Sequence, residues 1–103
     1  MRTIEELSDT LRAFAADRDW QRFHNPKNLA MALAGEAGEL LAELQWLTPD
    51  EAAGLDDAAK SRVADEMADV LNYLVRMADV MDVDLLAACE SKIARNAVRF
   101  PAA

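Results

Sequence analysis

The chain has 103 residues, 19 acidic and 11 basic, giving a formal net charge of −8 and predicting one domain over residues 1–103. This excess of acid argues against a protein that binds along the phosphates of a nucleic acid, because such binding needs clustered Lys and Arg. The single cysteine, Cys89, excludes an internal disulfide, and with no signal-peptide pattern and no apolar run long enough to cross a bilayer it predicts a cytoplasmic protein.

A low content of helix breakers, 3 Gly and 3 Pro, predicts an all-α fold. The first helix is expected to begin after Thr3, which forms a capping box with Glu6, and to end near Asp17. Residues 18–24 lack a helical stripe and are predicted to form a loop that holds two large aromatic side chains and the only histidine. A small chain of this kind buries only a modest core, so a metal or a partner chain is expected to complete it.

Capping residues and prolines mark the later helices. The second helix is predicted from Asn25-Pro26 to about Leu47, a short helical turn from Thr48 to Gly54, the third helix from Asp56 to about Met81, and the fourth from Asp82 or Asp84 to Pro101. Short connections favour antiparallel neighbours, so the predicted architecture is an antiparallel four-helix bundle.

Pairs of acidic residues three positions apart occur four times on these helices. Two pairs fall away from the apolar stripe of their helix, at about 100° per residue, and are predicted to lie on solvated faces. They are Glu6/Asp9 and Asp79/Asp82.

The other two pairs border an apolar stripe. Glu36 and Glu39, with Glu43, follow the margin of the second helix, and Glu66 and Asp69 follow that of the third. If the two helices are antiparallel, these carboxylates converge and repel one another unless a cation lies between them. Oxygen ligands favour Mg²⁺ or Mn²⁺. The alternative, ion pairs with Lys or Arg of neighbouring helices, stays open on the sequence alone.

The last helix carries a basic strip within about 100° of arc. Its members are Lys92, Arg95, Asn96 and Arg99. Cations next to an acidic metal site are the arrangement that a polyphosphate requires. Compensation of the helix dipole also favours cations at this end and is the alternative explanation.

An ordered set of motifs gives the sequence a family resemblance. Glu36-x-x-Glu39, 26 residues, then Glu66-x-x-Asp69 resembles the signature of the MazG-like all-α nucleoside triphosphate pyrophosphatases. The further matching segments are Arg18-Asp19-Trp20, Phe23-His24, residues 26–30, residues 35–40, Gln45-Trp46, residues 65–74 and Lys92-Ile93-x-x-Asn96-x-x-Arg99-Phe100-Pro101. Together they cover nearly the whole chain and resemble the small single-domain branch that includes the dCTP pyrophosphatases.

The resemblance implies an activity and a set of functional residues. It implies Mg²⁺-dependent hydrolysis of a (deoxy)nucleoside triphosphate to the monophosphate and pyrophosphate, by a homodimer or a dimer of dimers. The implied metal ligands are Glu36, Glu39, Glu66 and Asp69, and Glu36 or Glu39 is the expected catalytic base. The implied substrate-binding residues are Trp20 and Trp46 on the base, His24 and Asn28 near its edge, Tyr73 at the sugar or a phosphate, and Lys92, Asn96 and Arg99 on the phosphates.

Two other functions fit parts of the pattern. A non-catalytic helical oligomerisation module would explain the apolar stripes but not the acids beside them. A di-iron bundle requires two Glu-x-x-His motifs, and the one histidine follows no such Glu. Apolar flanks away from the main stripes, at Leu41, Val75, Val80 and Leu86, predict a homo-oligomer, because one thin bundle cannot cover them.

Overall fold

The computed structural model describes residues 1–103 and contains five α-helices and no strand, which confirms the all-α prediction. The helices are α1 Ile4–Asp17, α2 Pro26–Leu44, α3 Pro49–Ala53, α4 Asp57–Val80 and α5 Leu85–Arg99, with one 3-10 turn at Gln21–Phe23. The predicted order of elements is thus observed, although α2 ends before the expected Leu47.

Each helix begins at a side-chain cap. The capping oxygen accepts a hydrogen bond from the backbone N–H three residues on in every case, at Thr3, Asn25, Thr48, Asp56 and Asp84. The capping box predicted at Thr3 is only half formed, because the Glu6 carboxylate accepts from the Arg2 N–H at 2.7 Å instead. These local bonds fix where the helices start and hence which side chains face one another.

The main packing in the chain is between α2 and α4, which run antiparallel. Their direction follows from the contact of Glu43 with Arg62 at one end and the proximity of Glu36 to Asp69 further along. Leu29 of α2 and Val75 of α4 are almost completely buried, each 1% exposed. The prediction that Val75 belongs to an open apolar flank is therefore wrong, because the chain itself covers this side of α4. Helix α1 also packs against α4, and its Ala15 is buried, 1% exposed.

Helix α5 stands apart from this three-helix unit. It has no packing comparable to that of α1, α2 and α4, and none of its residues is buried. Only four of the 103 residues are buried, and the radius of gyration is 16.4 Å, whereas a compact chain of this length has about 13 Å. Within one chain the bundle is therefore formed by α1, α2 and α4, and much apolar surface remains open.

None of the helices combines the length and the apolar character that crossing a bilayer requires.

Candidate metal and nucleotide site

Four carboxylates from two helices meet at the α2–α4 contact. Glu36 and Glu39 come from α2, Glu66 and Asp69 from α4, and one oxygen of each lies within 4.8 Å of the others. Each pair is spaced three residues apart and so lies on one helix face. The antiparallel packing of the two faces brings the pairs together, as the sequence predicted for these residues.

The carboxylate cluster lacks neutralising partners within the chain. None of its four members forms an ion pair, and Glu36 Oε2 and Glu66 Oε2 are buried without a hydrogen-bond partner. Burial, followed by the neighbouring Glu39, raises the pKa of Glu36 to about 7. The same causes raise the pKa of Glu66. The site is therefore short of positive charge.

Glu43, one turn beyond Glu39, behaves differently. Its Oε2 accepts from Arg62 Nε at 3.3 Å, in a pair whose side chains are 27% and 59% exposed. The ion-pair alternative thus describes Glu43 but none of the four clustered carboxylates. Since the cluster offers oxygen atoms only, two of them buried and unpartnered, its residues fit a hard divalent cation such as Mg²⁺ or Mn²⁺.

A cavity of about 430 Å³ adjoins the cluster between α1, the 3-10 turn and α4. Trp20, His24, Asp69 and Tyr73 line it, so Asp69 belongs to both the cluster and the cavity wall. The Trp20 ring meets that of Phe14 edge to face, with centroids 5.7 Å apart, and Trp20 is 46% exposed. An open aromatic face next to an acidic cluster suits a nucleobase whose phosphates reach the carboxylates.

Other residues implied by the resemblance lie elsewhere in the chain. The Asn28 amide donates to the Phe23 carbonyl at 3.0 Å, which ties the loop to the start of α2 rather than lining the cavity. Trp46 is 87% exposed, lies two residues beyond the end of α2 and does not line the cavity.

The predicted phosphate-binding residues lie on α5. Lys92 and Arg99 are exposed and Asn96 is half-buried. None of the three bonds to a residue of the carboxylate cluster. Within one chain no hydrogen bond or ion pair joins the basic strip to the acidic cluster.

Two charged residues of α4 differ from the sequence prediction: Arg76 was not predicted to have a role, and the prediction for Asp79 was wrong. Asp79 does not lie on a solvated face: its side chain is 16% exposed and pairs with both Arg12 and Arg76. Arg12, followed by Arg76, lowers the pKa of Asp79. The prediction failed because α1 packs over this flank of α4. Arg76 lies seven residues after Asp69 and so nearly on the same face, a spacing that could have revealed it.

Comparison with known proteins connects this geometry to a family. No family model matches the chain. A solved pyrophosphatase from Archaeoglobus fulgidus is 38% identical, with a TM-score of 0.90 over 95% of this chain and 92% of the archaeal chain. The chain belongs to the MazG-like all-α nucleoside triphosphate pyrophosphatases. Membership in this family agrees with the carboxylate pairs on α2 and α4.

Curated relatives in the same family carry a more specific name. The dCTP pyrophosphatase 1 of Homo sapiens is 42% identical over 102 residues, which are 97% of this chain and 60% of the human protein. The dCTP pyrophosphatase 1 of Mus musculus is 43% identical over 101 residues, 96% of this chain and 59% of the mouse protein. The chain thus spans about 60% of the length of the curated relatives it matches.

Proposed function

We propose that this chain hydrolyses a (deoxy)nucleoside triphosphate, with dCTP as the first candidate, to the monophosphate and pyrophosphate. The observation that carries the proposal is the cluster of four carboxylates that shares Asp69 with the aromatic-lined cavity. The names of the relatives, which are dCTP pyrophosphatases in two mammals, support the choice of dCTP.

In this proposal Glu36, Glu39, Glu66 and Asp69 hold Mg²⁺, with Mn²⁺ as a substitute. When bound there, the ion supplies the positive charge that neutralises the triphosphate and the leaving pyrophosphate. Glu36 or Glu39 orients a water molecule and accepts its proton as the water oxygen attacks phosphorus and the α–β phosphoanhydride bond breaks. Trp20 stacks on the base, His24 lies at its edge, and Tyr73 contacts the sugar or a phosphate.

The position of the basic strip on α5 suggests that the site is completed by a second copy of the chain. Lys92, Asn96 and Arg99 form no bond with the carboxylates of their own chain, and α5 packs little against the other helices. Helix α5 also exposes apolar side chains such as Ile93, 67% exposed, and Val98, 83% exposed. We propose a homodimer or homotetramer in which α5 of one protomer covers the site of another. This arrangement buries the apolar face of α5 and supplies cations to the triphosphate at once.

A complementation experiment tests the shared site. Lys92→Ala and Asp69→Asn are each expected to be inactive. When the two are refolded together, about half of the dimers contain one copy of each variant, and one of the two sites in such a dimer is intact. The mixture should therefore have about a quarter of the parental activity. Mixed oligomers without activity, or an 11.3 kDa species in light scattering at micromolar concentration, would contradict the proposal.

The activity itself is tested by Mg²⁺-dependent pyrophosphate release from a panel of nucleoside triphosphates. Glu36→Gln should lower turnover by at least about two orders of magnitude, since it weakens charge stabilisation of the leaving group. In EDTA its melting temperature should stay level or rise, because like-charge repulsion in the cluster is relieved.

Glu43→Gln is the matched control, with the same substitution on the same helix outside the cluster. It should keep turnover and lose only the roughly 0–1 kcal/mol of a partly exposed ion pair. Parental turnover in Glu36→Gln would contradict the role of the cluster. No pyrophosphate release by the parent chain with any nucleotide would instead favour a non-catalytic helical oligomerisation module, which the exposed apolar surface also suits.

A further inference from the structure

A line of four charged or polar side chains leads from α1 across α4 to the cavity. Arg12 donates through both Nε and a terminal nitrogen to Asp79, at 3.0 and 2.6 Å. Asp79 Oδ2 also accepts from Arg76 at 2.7 Å. Arg76 Nε in turn donates to His24 Nδ1 at 2.9 Å, and His24 lines the cavity.

The orientation of the Arg76 guanidinium is fixed from two sides. The residue is 7% exposed, the only charged residue of the chain that is buried. Asp79 holds one of its terminal nitrogens, and Asp79 is itself held by Arg12 from another helix. A planar guanidinium bound in this way cannot rotate without breaking a charge-assisted hydrogen bond. Its Nε–H therefore points steadily at His24.

The direction of this hydrogen bond determines where His24 carries its proton. A guanidinium has donors only, so Nδ1 of His24 must offer its lone pair. A neutral imidazole then has its single proton on Nε2, the ring nitrogen that has no protein partner. Protonation of both nitrogens would break the bond and place two cations in contact. Burial, and then the charge of Arg76, lower the pKa of His24 accordingly.

We propose that Arg76 is a positioning residue that holds His24 as the neutral Nε2–H tautomer, so that the cavity offers an N–H donor to a carbonyl oxygen or ring nitrogen of the bound nucleobase. The nucleobase part rests on the proposed function, whereas the tautomer is a property of the chain without substrate. Arg76 acts through His24 and need not touch the nucleotide.

The tautomer is tested on the full chain without nucleotide. His24 is the only histidine, so its two ring nitrogens give unambiguous signals in long-range ¹H–¹⁵N spectra. We expect an unprotonated Nδ1, a protonated Nε2, and a coupling across the hydrogen bond between Arg76 Nε and His24 Nδ1. A protonated Nδ1, or no coupling to Arg76, overturns the proposal even if the chain hydrolyses nucleotides.

The effect on substrate is tested with a double-mutant cycle in pyrophosphate release. Arg76→Met should raise KM roughly 3- to 10-fold, the worth of one hydrogen bond, with little change in kcat. In the His24→Ala background the same substitution should change KM no further, since the two residues act as one unit. Additive effects on KM would contradict action through His24.

Two further variants separate positioning from loss of structure. Arg62 is on the same helix as Arg76 but does not line the cavity, so Arg62→Met serves as the control and its KM should equal that of the parent. Arg76→Lys keeps a positive charge beside Asp79 but lacks the guanidinium Nε–H that donates to His24. It should therefore fold like the parent and still show the raised KM. A parental KM in Arg76→Lys, with the coupling to His24 lost, would overturn the link to substrate binding while leaving the activity in place.

Discussion

Replacing Asp79 by Asn tests the energetic weight of the contact between α1 and α4. The substitution keeps the shape of the side chain but removes the charge that faces two guanidinium groups. Arg12, whose side chain is 57% exposed, can return to water, so the loss of its partner should have little effect on stability. The Arg76 side chain is 9% exposed and cannot.

The expected loss therefore comes mainly from Arg76. Removing one partner of a buried ion pair costs about 3–5 kcal/mol, and the Asn side chain recovers part of this because its carbonyl still accepts a hydrogen bond. We expect Asp79→Asn to lower the free energy of unfolding by about 2–4 kcal/mol. For a chain of this length that corresponds to a fall in Tm of roughly 10–30 °C.

The assay is urea unfolding followed by circular dichroism at one fixed protein concentration, with Asp82→Asn as control. Asp82 carries the same charge at the end of the same helix, and its φ of 54° suits Asn as well as Asp, so the control should stay within about 0.5 kcal/mol of the parent. The reasoning is refuted if Asp79→Asn is no less stable than Asp82→Asn.

The same pair of variants has a defined pH dependence. Arg12 holds the pKa of Asp79 below its ordinary value of 3.8. The folded state thus binds fewer protons than the unfolded state near that value, so the contribution of Asp79 is complete above it and is lost as the pH falls through the lower, folded-state pKa. This part of the acid sensitivity should be missing in Asp79→Asn and present in Asp82→Asn.

Three further outcomes are expected. Burial and Glu39 raise the pKa of Glu36 to about 7, so between pH 4.5, its ordinary pKa, and about pH 7 the metal-free folded chain binds more protons than the unfolded chain. Tm in EDTA should therefore fall as the pH rises from 4.5 to about 7, and it should fall less in Glu36→Gln. Trp20→Ala should weaken substrate binding by about 1–3 kcal/mol, the worth of one base stack, and a large fall in kcat at unchanged KM would contradict the stacking role. Asp19 has a φ of 56°, so Asp19→Ala should lower stability by about 1 kcal/mol and Asp19→Gly should not, as compared by thermal melts.

The parts of the fold that depend on local sequence could be predicted. Helix starts follow from capping side chains such as Asn25 and Asp56, whose hydrogen bonds span three residues. The carboxylate cluster could be predicted from the spacing of the acids within each helix and one assumption, that α2 and α4 are antiparallel. Given that assumption, helical periodicity alone places Glu36 and Asp69 opposite each other.

Features that depend on distant contacts could not be predicted in this way. Arg12 and Asp79 are 67 residues apart, and nothing in the pattern of either helix indicates that they meet. The separation of α5 was equally hidden, because an amphipathic helix has the same sequence pattern whether its apolar face packs within the chain or against another copy. For the same reason, the sequence does not indicate where the basic strip lies relative to the carboxylates, because this depends on how α5 packs.

Because so few residues are buried within one chain, the stability of the fold should depend on the protein concentration. In the oligomer that we propose, much of the apolar contact forms between protomers, so folding and assembly share one equilibrium. For a dimer, each tenfold dilution then lowers the stability by about 1.4 kcal/mol. The activity that we propose should therefore fall more steeply than the protein concentration when the chain is diluted.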